Sequence, residues 1–583
     1  MKRPDSSELM ESNDAFLKST YNRYLVPTML SILGGSLNTF VDRILIGNFV
    51  GEDALAAVNL AMPVNLIFFT VGSLIVSGAS VLSAKEAGKS NPDKSRRIFG
   101  SAILFAFTFA ALLWLFGLIF LDPVVSLLGG GSLSPLFRQY VQIIMFAGLW
   151  QVLLYVPFYY LRFDGRNNHA AGVMLLYTAM NIALDILFMR GFAMGLAGAA
   201  YASLAAAATA CAAGFWLLFR PDGSFSLPLV FSKPSVLRGM VKTGTPSALH
   251  NLATAFRILV INSILLAVSA DSTMLVTFAV LTAVSEFSLF LQHGIPQTAM
   301  PIISVYHVEK SNDGIRLLMK REILLGLLSI IGFGAVMLAF HSSVSRLFGV
   351  TRNLLVPLLC LAASLAIGQI NSIVTSFFNA TGRIALANLI TVSRVLFLPA
   401  VFAWLLSGSA MIWLFLPLAE LATLIVWLGA AFVRSRANPP CSPLLLLDDS
   451  LVKSGRALDF SVRSTAGDIC LASQRITEFC EQNDLTPKQT MQVSLAIEEI
   501  MTLMAERSIG HENGSFDVRA FATGGSIGLR IRCAGKRFNP LSLGSSPEDE
   551  DQGLIGIRML TGMVKNLQYV TTFGVNSFFV QIQ

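Results

Sequence analysis

Asp42, in FVDRILIGNFVG, sits late in a stretch otherwise apolar enough to cross a bilayer. Asn181 and Asp185, in MNIALDILF, interrupt a second such stretch, and their four-residue spacing puts an amide and a carboxyl on one helical face. An ionisable group at mid-bilayer costs at least about 2.5–3.5 kcal/mol, so each of these residues is a candidate for function. A carboxylate beside an amide oxygen can hold Na+ or take up a proton. The plainer readings are that Asp42 pairs with Arg43, and that Asp185 lies near enough to the surface to be solvated.

Further along, Arg257, Glu286, Arg394 and Glu420 also fall within apolar stretches. Arg394 and Glu420 lie in consecutive stretches, which suits a structural ion pair. Arg257 and Glu286 form either a second pair or, with Arg257 free, a contact for an anionic substrate. His250 and His293, single histidines near prolines, read as packing residues.

The elements that must carry these side chains are transmembrane helices. Between Tyr24 and Phe432 the chain lays down about twelve apolar stretches of spanning length, each on the order of 20 residues. Of its 583 residues 54% are hydrophobic and only 13% charged, and the mean hydropathy is +0.65, well outside the soluble range. Lys and Arg gather in alternate loops: Lys85 to Arg97, Arg162 and Arg166, Arg220 to Lys242, Lys310 to Arg321, and Arg383. Such loops face the cytoplasm, which puts both termini there in a bacterial plasma (inner) membrane. The net charge of +7 therefore reads as topology and not as a nucleic-acid surface. Six scattered cysteines without a CxxC pair argue against a disulfide framework or a zinc site, so no metal is expected.

The membrane region repeats itself. Pro27 has a counterpart in Pro246, and Phe163-Asp-Gly-Arg166 in Phe378-Asn-Ala-Thr-Gly-Arg383, at nearly equal offsets. An even number of spans per half keeps the copies parallel about an axis along the membrane normal. The expected fold is an all-α polytopic domain of twelve helices in two six-helix lobes, followed by a small α/β sandwich. The expected divisions are a cytoplasmic segment (1–22), a first lobe (23–219), a linker (220–235), a second lobe (236–433), a second linker (434–456) and a soluble domain (457–583).

The segments FVDRILIGNFVGEDALAAVNLAMPV and NIALDILFMRGFAMGLAGAAYAS resemble signatures of the multidrug and toxic compound extrusion (MATE) family. The resemblance spans Tyr24 to Phe432. It implies secondary active efflux of small amphipathic compounds, with H+ or Na+ moving inward and no other cofactor. Asp42, Asn181 and Asp185 are then the cation-site candidates. One departure matters. Several family members carry an acid soon after the proline of the seventh span, whereas here Pro246 is followed by SALHNLATAFRILV, with Arg257 and no acid.

The tail alternates strand and helix patterns and resembles the histidine-kinase-like ATP-binding domain of anti-sigma-factor serine kinases. LAIEEIMTLM carries Glu499 at the acid position, AGKRFNP carries Gly535, and GLIGIRML carries Gly553 and Gly556. Three departures count against nucleotide chemistry: Leu503 stands where an Asn would hold Mg2+, Cys533 where an Asp would read adenine, and the glycine pair is broken at Leu554. The tail is therefore expected to be degenerate and regulatory, with a cytoplasmic protein as partner, and the chain is not expected to be an enzyme. A flippase for a lipid-linked or anionic substrate, favoured by Arg257, and a non-transporting receptor or scaffold whose tail binds a regulatory protein are the alternatives.

Overall fold

The computed structural model describes residues 6–582 apart from 89–91, 129–132, 165, 221–232, 269–271, 309–310, 410, 438–441, 443, 449–455, 510–513, 524, 536–558, 561, 563, 565 and 573–574. Most of both linkers, and Gly553 and Gly556, thus lie outside the described residues. Among the described residues 12 helices are long and apolar enough to cross a membrane. Those that carry the site are span 1 (Tyr21–Phe49), span 2 (Glu52–Ser83), span 4 (Ser134–Arg162), span 5 (Asn168–Gly191), span 7 (Ala248–Val268), span 8 (Thr273–Ser304), span 10 (Leu355–Ala380), span 11 (Ile384–Leu405) and span 12 (Ile412–Ala437). The first helix runs Ser6–Phe49 and takes in much of the polar N-terminal segment ahead of span 1.

Their outward faces are apolar, as a bilayer requires. Three π-helical segments interrupt the spans: Ser73–Ser77, Ile186–Gly191 and Ser393–Phe397. Such bulges occur often at functional sites. The internal repeat extends to backbone geometry. Arg166 (φ −88°, ψ 52°) and Arg383 (φ −87°, ψ 55°) occupy the same turn conformation. Their amides donate to Leu161 and Phe378 carbonyls at the same 2.8 Å.

The chain divides into two compact units. One, comprising residues 28–297 and 323–428, holds most of the membrane helices. Within it span 2 runs backbone to backbone against the first turns of the helix Val236–Val268, which carries span 7. A Cβ on Gly78 would lie 2.0 Å from the Met240 carbonyl oxygen, and one on Gly244 1.9 Å from that of Leu74. Thr243 Oγ1 donates to the Gly78 carbonyl at 3.0 Å. At the opposite end of span 2, Arg352 pairs with Glu52 at 2.6 Å and Asn48 donates to the Leu347 carbonyl. Gly51, at φ 119°, makes the turn between spans 1 and 2.

The other unit comprises residues 1–27, 298–322 and 429–583. Its centre is an antiparallel sheet in the order β1-β2-β3-β5-β4, with β1 Ala457–Arg463, β2 Ser515–Thr523, β3 Ser526–Ala534, β4 Asn566–Thr572 and β5 Val575–Ile582. Helices Ala466–Gln482 and Pro487–Met504 cover one face, where Phe460, Val518, Leu529, Ile531 and Val580 alternate inward. Thr486 and Gln489 close a capping box at the start of the second helix. On the other face Asp459 pairs with Arg519 and Asp517 with Arg532, each directly across the ladder. The Arg532 guanidinium lies 4.2 Å over the ring of Tyr306.

Candidate coupling-ion site

Span 1 carries Asp42 and span 5 carries Asn181 and Asp185, and the fold brings all three together. The Asp42 and Asp185 carboxyls lie close enough to act on each other's charge. Asp185 and Asn181 are 0% and 1% exposed, so solvation at the surface is not what accommodates Asp185. Neither Asp185 oxygen, nor Asp42 Oδ1, nor Asn181 Oδ1 has a hydrogen-bond donor. Asn181 uses only its amide NH2, which donates to Ser203 Oγ at 3.4 Å. Arg43 is turned away from the plain pairing with its neighbour. Its Nη1 donates to the Ala279 carbonyl at 3.0 Å, and its Nη2 lies 3.5 Å from Glu286.

Four further residues complete the site. Asn38 lies one helical turn before Asp42, and its Oδ1 is also buried without a donor. Gln151 of span 4 donates through Nε2 to the Tyr177 hydroxyl at 3.4 Å, leaving its own oxygen unpartnered. The hydroxyls of Tyr140 and Tyr177 lie close enough to feel the charge of both carboxyls. The result is a buried nest of oxygen atoms with few donors. Hard cations prefer such oxygen ligands, and two facing carboxyls with no donor between them need a positive charge there, either a proton or a metal ion. Among the described residues no group of three or more His, Cys, Asp or Glu side chains is arranged as a metal centre. A single monovalent ion or a proton suits this set better than a resident transition metal.

The MatE family model matches residues 27–211, the stretch that carries this site. A probable multidrug resistance protein of Bacillus subtilis, YoeA, is 31% identical over 188 residues, covering 31% of this chain and 40% of YoeA. The multidrug export protein MepA of Staphylococcus aureus is 23% identical over 434 residues, covering 72% of this chain and 94% of MepA. Among solved structures, an inward-facing multidrug resistance MATE transporter of the MOP superfamily superposes with a TM-score of 0.65 at 19% identity. It covers 70% of this chain and 98% of its own. The membrane domain therefore has the MATE fold, and MATE proteins are transporters, not enzymes.

In the second half of this MATE fold, Arg394 and Glu420 pair at 2.7 Å. Gln292, Ser372 and Asn371 hydrogen-bond to the pair, and Trp427 donates to Asn371 at 3.0 Å. Gly368 leaves room for it, because a Cβ there would meet Arg394 Nη2 at 2.7 Å. Glu286 turns to Arg43, so the alternative in which Arg257 pairs with Glu286 is not the one the fold adopts. Among the described residues Arg257 forms no ion pair, and its Nε is buried without an acceptor. His250 and His293 border the same region.

Glu322 escapes the sequence reading because it adjoins Lys320 and Arg321 and so looks like loop. It is 1% exposed, and neither carboxylate oxygen has a partner. In the tail, Glu499 lies half-buried on the helix Pro487–Met504, whereas Leu503 and Cys533 sit inside the hydrophobic core. Burial pushes the Cys533 thiol up to about 12. A Cβ on Gly535 would lie 2.5 Å from Ser508 Oγ, and that hydroxyl accepts a hydrogen bond from Asn576 Nδ2 at 2.8 Å.

Proposed function

We propose that this protein is a secondary active exporter of small amphipathic compounds, driven by inward H+ or Na+ at Asp42, Asn181 and Asp185. The observation that carries the reading is the approach of the Asp42 and Asp185 carboxyls with no donor between them. Two neighbouring carboxylates are costly inside a membrane even with Arg43 in the field of Asp42, and binding one cation relieves that cost. Cation binding thus has a free-energy lever on the packing of span 1 against span 5, as coupling requires. Both termini are assigned to the cytoplasm on the distribution of Lys and Arg.

The tail in this reading is a degenerate relative of the histidine-kinase-like ATP-binding fold that regulates transport through a protein contact. The burial of Leu503 and Cys533 supports it, since neither side chain can hold Mg2+ or accept from the adenine amine. Equilibrium binding of labelled ATP to the full chain is expected to be undetectable, and saturable binding would reverse this part of the reading.

The deciding experiment is dye movement in energised inverted vesicles under imposed H+ and then Na+ gradients, with wild type beside Asp42→Asn. Wild-type transport lost in the variant supports the exporter, and the effective gradient names the ion. A folded, inserted wild type that moves nothing under either gradient refutes it.

A further inference from the structure

The strand alternation that turns one face of the tail's sheet toward its helices turns Asp459, Asp517, Arg519 and Arg532 the other way. A sheet face of charged side chains ordinarily lies in water, because charges are seldom buried. Here Asp517, Arg519 and Arg532 are 4%, 3% and 4% exposed, as deeply buried as the core on the opposite face. The pairs Asp459–Arg519 and Asp517–Arg532 balance each other's charge, but they cannot exclude water from their own outer side.

The corner of the chain between spans 8 and 9 lies against this face, and it belongs to the same compact unit. Tyr306, just past the end of span 8, has its ring 4.2 Å from the Arg532 guanidinium, and both side chains are buried. Asn312, at the start of the helix Asn312–Ala339, donates through Nδ2 to the Asp448 carbonyl at 2.6 Å, in the segment that leads into the tail. Asp313 is close enough to Asp459 for their like charges to repel. Asp313 is exposed and paired with Arg316 at 3.0 Å, however, so water and its partner screen that repulsion. The desolvated contact between Tyr306 and Arg532 outweighs it.

We propose that the charged face of the tail's sheet is a docking surface whose partner is the corner between spans 8 and 9 of the same chain, and that the docked tail acts as a brake on transport. This deepens the regulatory reading of the tail by putting its protein contact within the chain. The brake rests on the exporter reading above; the docking does not. Carrying a substrate between two halves requires the ends of spans from opposite halves to part and meet in turn. The corner already joins both halves, since Arg321 of span 9 donates to Asn22 Oδ1 on the helix Ser6–Phe49 at 2.8 Å. A domain packed on that corner makes contacts in one arrangement that are lost in the other, and so biases the populations by their free energy. Undocking removes the bias.

2,3-Butanedione modifies accessible guanidinium groups, and peptide mapping by mass spectrometry reads each arginine separately. The full chain, one copy per nanodisc, is treated at neutral pH, and each rate is divided by that of the same arginine in denatured protein. Arg532 is expected to react far more slowly than Arg463, which is exposed at the end of β1. Equal rates in this single-copy wild type overturn the docking without recourse to any variant, and mean that a second copy or a separate protein is what covers the face. Tyr306→Ala/Asn312→Ala removes both contacts from outside the tail's own sheet and core. It is expected to speed the modification of Arg532 about tenfold, the ratio that losing such contacts supplies. Cys480 and Cys533 staying closed to maleimide shows that the tail is still folded in the variant. Tyr306→Phe keeps the ring and is expected to keep the protection. Protection that survives in folded Tyr306→Ala/Asn312→Ala overturns the docking as well. In energised vesicles the double variant is expected to move dye several-fold faster than wild type, and an equal or slower rate with Arg532 freed overturns the brake. A wild type that moves nothing under either gradient refutes the exporter reading instead, and the arginine comparison, which uses no gradient, still decides the docking.

Discussion

Asp42 and Asp185 face each other from spans 1 and 5 while Arg43, the immediate neighbour of Asp42, points to Glu286 on span 8. One turn of span 1 thus serves two purposes. It presents a carboxyl to span 5 and a guanidinium to the second half of the fold.

The carboxyl pair is under electrostatic stress, and removing one charge is expected to relieve it. Asp185→Asn supplies an amide donor to Asp42 at nearly the same volume. We expect it to raise thermal stability in detergent by about 1 kcal/mol, or a few degrees in Tm, while abolishing gradient-driven export. A drop in Tm, with Asp185→Asn less stable than wild type, would contradict the proposed site.

The Arg43–Glu286 contact behaves oppositely. Arg43 is 2% exposed, so Glu286→Gln removes its ion-pair partner and leaves it hydrogen-bonded to the Ala279 carbonyl and the weak acceptor Met62 Sδ. Breaking a buried pair from one side costs about 3–5 kcal/mol. A marked fall in Tm is expected for Glu286→Gln, partly recovered in the double variant Arg43→Met/Glu286→Gln. No recovery in the double variant would mean that the two side chains are not energetically coupled.

Much of this arrangement was legible in the chain. The spans followed from hydropathy, and Asp42, Asn181 and Asp185 stood out because polar groups in apolar stretches are costly. Asn38 and Tyr177 were within reach of the same reasoning, since each lies one turn from a residue already singled out. Gln151 and Tyr140 carry no such signal, because an amide or phenol in span 4 is unremarkable until spans 1 and 5 pack beside it. Partner choice was the least legible feature. Which carboxylate Arg43 or Arg257 meets depends on helix packing between distant segments, and sequence neighbours alone suggested pairs that the fold does not make. In the tail the strand and helix order and the Thr486 cap followed from local pattern, whereas two of its glycines fall outside the described residues.

Gly244 and Gly78 put span 2 and the helix that carries span 7 in backbone contact, and the opposing atoms are carbonyl oxygens that cannot swing aside. Gly244→Ala is expected to force the helices apart and lower stability by about 1–3 kcal/mol. Thermal unfolding of the purified variant measures this. A wild-type Tm in Gly244→Ala would show that the two helices do not pack as closely as their backbones indicate.

The tail cysteines test its core. Cys470 is exposed, whereas Cys480 and Cys533 are 0% and 1% exposed, and burial pushes their thiols up to about 11 and about 12. Maleimides react with thiolates, so a raised pKa and burial act in the same direction. In a Cys441→Ser background at neutral pH, maleimide is expected to label Cys470 within minutes and to leave Cys480 and Cys533 untouched until denaturant is added. Peptide mapping by mass spectrometry resolves the three. Prompt labelling of Cys533 would mean that the core beside β3 is open to solvent, and would reopen the case for a nucleotide in the place where an adenine-reading acid is missing.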